Sequence, residues 1–347
     1  MGDKTNMTKA DMNNNFDKLM DDKEWDDSVA EDTKENEDDE AISLRSQLVI
    51  DLVAEFNRKG RLKSVLVENK RDVSEFDKAY KYPEHIAVER IHMTNFEMEL
   101  LTWRFSGSPW VILQFHGGGY LNAWKNRYRT IAGLYSEVGK GARVLSIDYR
   151  VAPDHPFPAA LEDAFEAYSW LLEQGYKEED IVLAGDSAGG GLCMALCHYL
   201  KQKGMNLPAG IIAMSPWTDL TASGPSYVEK ADEDPIFGGG HAELIYENPY
   251  VGDHDPKDPC MSPLFGDFTG FPPMLIQVGT SEMLLSDSQQ VAQKAREAGV
   301  LVRLSEYPGM FHVFQMAGKM MKESRKAWVE IGRFFEVLEN MRNVDRE

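Results

Sequence analysis

Ile181-Val182-Leu183-Ala184-Gly185-Asp186-Ser187-Ala188-Gly189-Gly190-Gly191-Leu192-Cys193-Met194-Ala195-Leu196 is the stretch from which this chain can be read. Its first four residues are a short apolar run of the kind that forms a buried strand, and the residues from Gly190 onward read as a buried helix. Between them stands Gly185-x-Ser187-x-Gly189. Strand, G-x-S-x-G, helix is the context in which a serine is presented as a nucleophile on a strained turn. The small residues have a physical task there, because strand and helix backbones must pass close together and Ser187 is forced into awkward dihedrals. A flexible loop could carry the same letters. The nucleophile reading therefore requires the rest of the chain to supply a base, an acid, oxyanion donors and a lid.

Outward from this turn, strands alternate with helical patterns. Strands are predicted at 85–91 and 98–105 as an antiparallel pair, then at 111–115, 143–149, 181–185, 210–215, 274–279 and 302–307. Helices are predicted at 42–56, 129–140, 157–174, 188–203, 288–298 and 319–338. The implied class is α/β, an eight-stranded mostly parallel sheet with helices on both faces. The segment 221–271 breaks the rhythm, being long and rich in Gly, Pro and Asp. Its Phe237, Tyr246, Tyr250 and Phe265 favour a lid or pocket wall.

The net charge of −20 over 347 residues argues against nucleic acid or an anionic membrane surface as partner. No run has the length of a transmembrane helix and the first residues begin no signal peptide, so a soluble, cytoplasmic protein is expected. Cys193 and Cys197 stand one helical turn apart, but without a second pair nearby they read as buried thiols rather than metal ligands. Residues 1–40 hold 15 Asp or Glu and 5 Lys, half of the chain's net charge. They read either as a solvated acidic tail or as short helices folded over an active site. The division expected is an acidic extension and cap helix over 1–56, then a catalytic domain over 57–347.

Phe115-His116-Gly117-Gly118-Gly119-Tyr120 leaves a predicted strand end. Consecutive glycines let backbone N–H groups turn inward, which stabilising an oxyanion requires. Gly117 and Gly118 are the expected donors, with Ala188 at the start of the nucleophile helix, whose dipole adds positive potential. His116 lies on the wrong side of these glycines for catalysis and is expected to hold the loop. The base should follow Ser187 in the chain after an acid. Tyr307-Pro308-Gly309-Met310-Phe311-His312 supplies it, since His312 alone among eight histidines lies past a late strand end. For the acid, Glu282 stands three residues past the strand-ending Gly279. Asp287 is the alternative, explained without catalysis as a helix N-cap. Tyr120, Trp217 and Phe311 are candidates for the acyl and alcohol pockets, against a plain role in core packing.

Together these motifs resemble the hormone-sensitive-lipase branch of the α/β-hydrolases, a family of carboxylesterases. The resemblance extends to Asp148-Tyr149-Arg150-Val151-Ala152-Pro153, to Ser215-Pro216-Trp217-Thr218-Asp219-Leu220 and to Asp234-Pro235, covering about residues 80–340. It implies an α/β-hydrolase fold, a Ser187-Glu282-His312 triad, the oxyanion hole Gly117, Gly118 and Ala188, and a cap from the N-terminal region and part of 221–271. Glu282 departs from the aspartate of many members, and the long acidic extension is unlike the family. The expected reaction is hydrolysis of short- to medium-chain acyl esters without metal or organic cofactor. Some relatives form homodimers. An amidase or deacetylase would use the same site, and nothing in the motifs separates ester from amide. A non-catalytic receptor on this fold, as the plant gibberellin receptors are, should have lost a triad member, and here all three remain.

Overall fold

The computed structural model describes residues 16–21, 42–58, 74–105, 107–238 and 242–344. Most of the acidic stretch 1–40, and His241 in the insertion, lie outside them. Eight strands form one sheet: β1 (Ile86–His92), β2 (Glu97–Trp103), β3 (Val111–Phe115), β4 (Arg143–Asp148), β5 (Ile181–Asp186), β6 (Gly210–Met214), β7 (Met274–Gly279) and β8 (Val302–Tyr307). Their spatial order is β1-β2-β4-β3-β5-β6-β7-β8. β1, β2 and β4 pair antiparallel, and every other neighbouring pair is parallel. Each strand lies within two residues of the expected bounds.

The period of two explains why this sheet has two cores. Along β3, Val111, Leu113 and Phe115 face one side and Ile112 the other, and β5 repeats the alternation with Ile181 and Leu183 against Val182 and Ala184. The first side is covered by α3 (Ala159–Glu173), α4 (Ala188–Gln202) and α5 (Leu285–Glu297). The second is covered by α2 (Arg127–Val138) and α6 (Lys322–Val344). From β3 the chain crosses to β4 on one side and then returns to β5 on the other. A crevice therefore opens beyond the carboxyl ends of β3 and β5, where open α/β sheets bind ligands.

Two regions beyond the sheet bear on that crevice. Helix α1 (Leu44–Arg58) packs Val49, Ile50 and Val53 on Met310, Phe311 and Phe314, the segment that carries His312. Among its described residues the insertion holds the short helices Ser226–Glu229 and Glu243–Tyr246 and a 3-10 turn at Pro263–Phe265. Its Phe237 and Tyr250 are buried as a wall requires, whereas Tyr246 is exposed and Phe265 is half-buried beside Lys257. Residues 16–21 are helical. Phe16 and Met20 are sunk among the α2 and α6 side chains, and Arg303 on β8 reaches Asp21 at 2.8 Å. These six residues of the acidic extension pack on the side of the sheet that α2 and α6 cover. Two apolar anchors and two arginines, Arg303 and Arg333, hold them in place; Arg333 Nη1 donates to the Met20 carbonyl at 3.5 Å.

Candidate active site

β5 ends in a turn that only its sequence permits. Ser187 has φ 53° and ψ −123°, a conformation that costs of order 1–3 kcal/mol and persists when neighbours fix it. They do so from both sides. Its N–H donates to the Met214 carbonyl at 2.9 Å, and its carbonyl accepts from Trp217 N–H at 2.9 Å. A Cβ on Gly185 would stand 2.4 Å from the Gly189 backbone, and one on Gly189 would stand 2.3 Å from the Phe115 carbonyl oxygen. Both glycines are there for close approach.

The structure brings Ser187, His312 and Glu282 into one line. His312 Nε2 lies 2.9 Å from Ser187 Oγ, and His312 Nδ1 lies 2.7 Å from Glu282 Oε2. A carboxylate only accepts, so the Nδ1 proton belongs to this bond and Nε2 is left with a lone pair toward the serine hydroxyl. Glu282 Oε1 accepts from Gly279 N–H at 2.6 Å and from Ser215 Oγ at 2.8 Å. Ser215 Oγ also accepts the Val313 N–H at 3.1 Å, so one hydroxyl ties the acid loop to the base loop. Ser215 stands in a segment that carries the family resemblance, but its letters do not show that its hydroxyl reaches both loops. Burial works against a charged His312, but the hydrogen bond and charge of Glu282, backed by Asp234 and Asp186, outweigh it and raise the imidazole above its ordinary value of 6.5.

Asp287 points elsewhere. Its Oδ2 accepts from the N–H groups of Thr218 and Asp219 at 2.8 and 2.9 Å. The N-cap expectation is also corrected, because α5 is preceded by Leu284 as its cap and Asp287 lies inside the first turn. Its carboxylate caps the loop after β6 instead. Burial above all pushes it up to about 7.

The three expected oxyanion donors are not equally free. Gly117 N–H donates to Tyr128 Oη at 2.9 Å and to Asp186 Oδ1 at 3.1 Å, so it is already engaged. Tyr128 Oη in turn donates to Asp186 Oδ2 at 3.2 Å. Asp186, the second residue of Gly185-Asp186-Ser187-Ala188-Gly189, thereby pins the glycine loop to the nucleophile turn. Among the described residues, the N–H groups of Gly118, Gly119 and Ala188 have no protein acceptor. Gly118 and Gly119 border the same pocket as Ser187, with φ of 120° and 64° that glycine adopts freely. His116 behaves as expected. Its ring stacks on Tyr149 at 3.9 Å and its Nδ1 holds the Gly117 carbonyl at 2.9 Å. Burial lowers its pKa to about 3, which keeps it neutral.

Ser187 and His312 lie at the floor of a cavity of about 260 Å³. Trp217 and Phe311 line it as expected, together with Ile236, Phe237, Leu244 and Leu284. Tyr120 does not. Its φ of 61° turns the ring into the core, where it stacks on Tyr250 at 3.9 Å. A larger groove of about 510 Å³, lined by Trp110, Pro273 and Leu301, opens at the amino ends of the strands and contains none of these groups. Among the described residues no cluster of His, Cys, Asp and Glu is arranged to hold a metal ion, and no helix is long and apolar enough to cross a membrane.

Comparison with known proteins agrees with this fold. The family described as alpha/beta hydrolase fold matches residues 112–316. An acetyl-hydrolase from Streptomyces hygroscopicus is 39% identical over 223 residues, 64% of this chain and 74% of that protein. An esterase from Acinetobacter venetianus is 37% identical over 225 residues, 65% of this chain and 74% of its own length. Among solved structures, an esterase from the bacterial hormone-sensitive lipase family superposes with a TM-score of 0.73 at 33% identity, covering 85% of this chain and 98% of the other. An esterase/lipase from an uncultured bacterium gives the same TM-score of 0.73 at 33% identity, over 86% of this chain and 99% of that one.

Proposed function

The chain belongs to the hormone-sensitive-lipase-like carboxylesterases of the α/β-hydrolase superfamily, and from that premise we propose that Ser187, His312 and Glu282 hydrolyse short- to medium-chain acyl esters through an acyl-enzyme. The observation that carries this reading is the unbroken relay from Glu282 Oε2 to His312 at 2.7 Å and from His312 Nε2 to Ser187 Oγ at 2.9 Å. Ser187 Oγ attacks the carbonyl carbon while its proton passes to His312 Nε2. The resulting oxyanion takes hydrogen bonds from Gly118, Gly119 and Ala188 N–H, each worth roughly 3 kcal/mol in the transition state. Collapse breaks the ester C–O bond, and His312 returns its proton to the leaving alcohol oxygen. Water, deprotonated by His312, then attacks the acyl carbon. The second collapse releases the acid and returns the proton to Ser187.

A cavity of about 260 Å³ is small against the roughly 300–1,000 Å³ of sites for drug-sized ligands, which supports short and medium acyl groups. Helix α1 and the insertion 221–271 act as the cap. Ser187→Ala should lower kcat/KM on p-nitrophenyl butyrate by roughly 10⁴-fold or more. Activity within tenfold of the parent would sink the assignment.

A further inference from the structure

Asp234 takes no part in the steps above, yet it is a carboxylate only 3% exposed with every bond it makes directed at backbone N–H groups. Its Oδ1 accepts from the N–H groups of Ile236 at 2.7 Å and Phe237 at 3.0 Å, two of the insertion residues that enter the pocket wall. Its Oδ2 accepts from Met283 N–H at 2.8 Å, the residue that follows Glu282 in the chain. The turn is tight. Gly238 N–H closes on the Asp234 carbonyl at 2.9 Å, and a Cβ on Gly238 would stand 2.3 Å from that oxygen. Phe237 ends with its ring centroid 4.8 Å from that of His312.

Burying a carboxylate costs desolvation energy that an apolar residue would not incur. Burial accordingly raises the Asp234 pKa, and the bonds from Met283, Phe237 and Ile236, with the field of His312, only partly offset that. A charge kept at such a cost needs a role that a neutral side chain could not fill. We propose that Asp234 is a positioning residue for the ester hydrolysis: one carboxylate that locks the pocket wall at Ile236 and Phe237 to the Glu282–Met283 loop, and adds a negative charge whose field acts on the His312 imidazole. The inference rests on the reading of His312 as the base. Three carboxylates then act on that imidazole, each from a different element: Glu282 after β7, Asp186 at the end of β5 and Asp234 from the insertion. All three favour the imidazolium that forms in the transition state.

The test compares the parent, Asp234→Asn, Asp234→Glu and Ser187→Ala on p-nitrophenyl butyrate between about pH 4.5 and 9. Asp234→Asn keeps one oxygen for the wall but turns an NH₂ toward Met283 N–H and removes the charge. Its kcat should fall roughly tenfold or more, because small displacements of reacting groups cost up to about 10²-fold. Its acid limb should also move to lower pH. Asp234→Glu keeps the charge but shifts the carboxylate by one methylene, so kcat should fall while the acid limb stays near the parent's. A folded Asp234→Asn with the parent's acid limb overturns the proposal, as a purely structural residue would change stability and leave that limb alone. If Asp234→Asn does not fold, Asp234→Glu decides, and parent-like kcat in it overturns the positioning role. The Ser187→Ala arm keeps the two readings apart. Activity there removes the acyl-enzyme reading itself, whereas an inactive Ser187→Ala beside unshifted Asp234 profiles removes only the role of Asp234.

Discussion

The floor of the pocket and its wall are held by different kinds of structure. Each floor group comes off the carboxyl end of a parallel strand: Gly118 and Gly119 after β3, Ser187 after β5, Glu282 after β7 and His312 after β8. Adjacent strands are fixed about 4.8 Å apart by their ladders, so the spacing of these groups follows from the sheet. The wall comes largely from an insertion whose described residues form only short helices and no strand. It is tied down by side chains instead. Asn248 Nδ2 donates to the Gly119 carbonyl at 2.9 Å, and Asp234 holds Met283. The floor sets the reaction and the wall sets what fits above it, so substitutions in the two regions should separate rate from range.

The sharpest break in the floor is Glu282→Gln. A glutamine cannot hold the imidazole as the carboxylate does, and the expected loss in kcat is roughly 10⁴-fold with KM little changed. The pH profile adds a second reading. Protonated His312 cannot accept the Ser187 proton, so parent kcat/KM should fall as pH drops through a pKa held above 6.5. Removing the charge that raises that pKa should carry the acid limb to lower pH. An acid limb that stays in place would assign the orienting role to some other group.

The floor was legible because each of its parts is a local pattern at a strand end: glycines in tight turns, a Pro-Gly turn before His312, and a carboxylate three residues past Gly279. One expected donor there, Gly117, has its N–H engaged within the protein, and the letters could not show it. Three successive N–H groups look alike in sequence, and the acceptors that engage the first lie 11 and 69 residues away in Tyr128 and Asp186. Ser215 escaped for the same reason, since its partners are joined to it only by the fold. The wall was legible only as a class. Tyr120, Trp217 and Phe311 are equally aromatic, and the backbone turn that sends Tyr120 into the core has no mark in the letters. Leu244 gives the wall its own test. Its side chain lies where a Cβ on Gly119 would come within 2.9 Å, so it bounds the space above Gly119, a proposed oxyanion donor. Leu244→Ala should raise the octanoyl-to-acetyl ratio of kcat/KM by roughly tenfold, the worth of one or a few methylenes in an apolar pocket. A chain-length series with unchanged rank order would make the wall rigid scaffolding.

The mildest contrast lies between two buried carboxylates five positions apart. Glu282 faces His312, whereas Asp287 caps the Thr218–Asp219 backbone behind Trp217 and belongs to the support of the wall. Asp287→Asn should therefore leave kcat and its acid limb within about twofold of the parent, with stability as the changed quantity. The sign with pH follows from the direction of its shift. Burial lifts Asp287 from 3.8 to about 7, so the folded chain holds that proton more tightly than the unfolded chain does. The contribution of Asp287 to stability is then largest at acid pH and declines as pH rises from about 4 to about 7. Asparagine does not titrate, so the parent's melting temperature minus that of Asp287→Asn should decrease between pH 5 and pH 8. A difference that grows with pH would mean that the fold favours the ionised carboxylate. The two N–H bonds from Thr218 and Asp219 would then outweigh desolvation at this position.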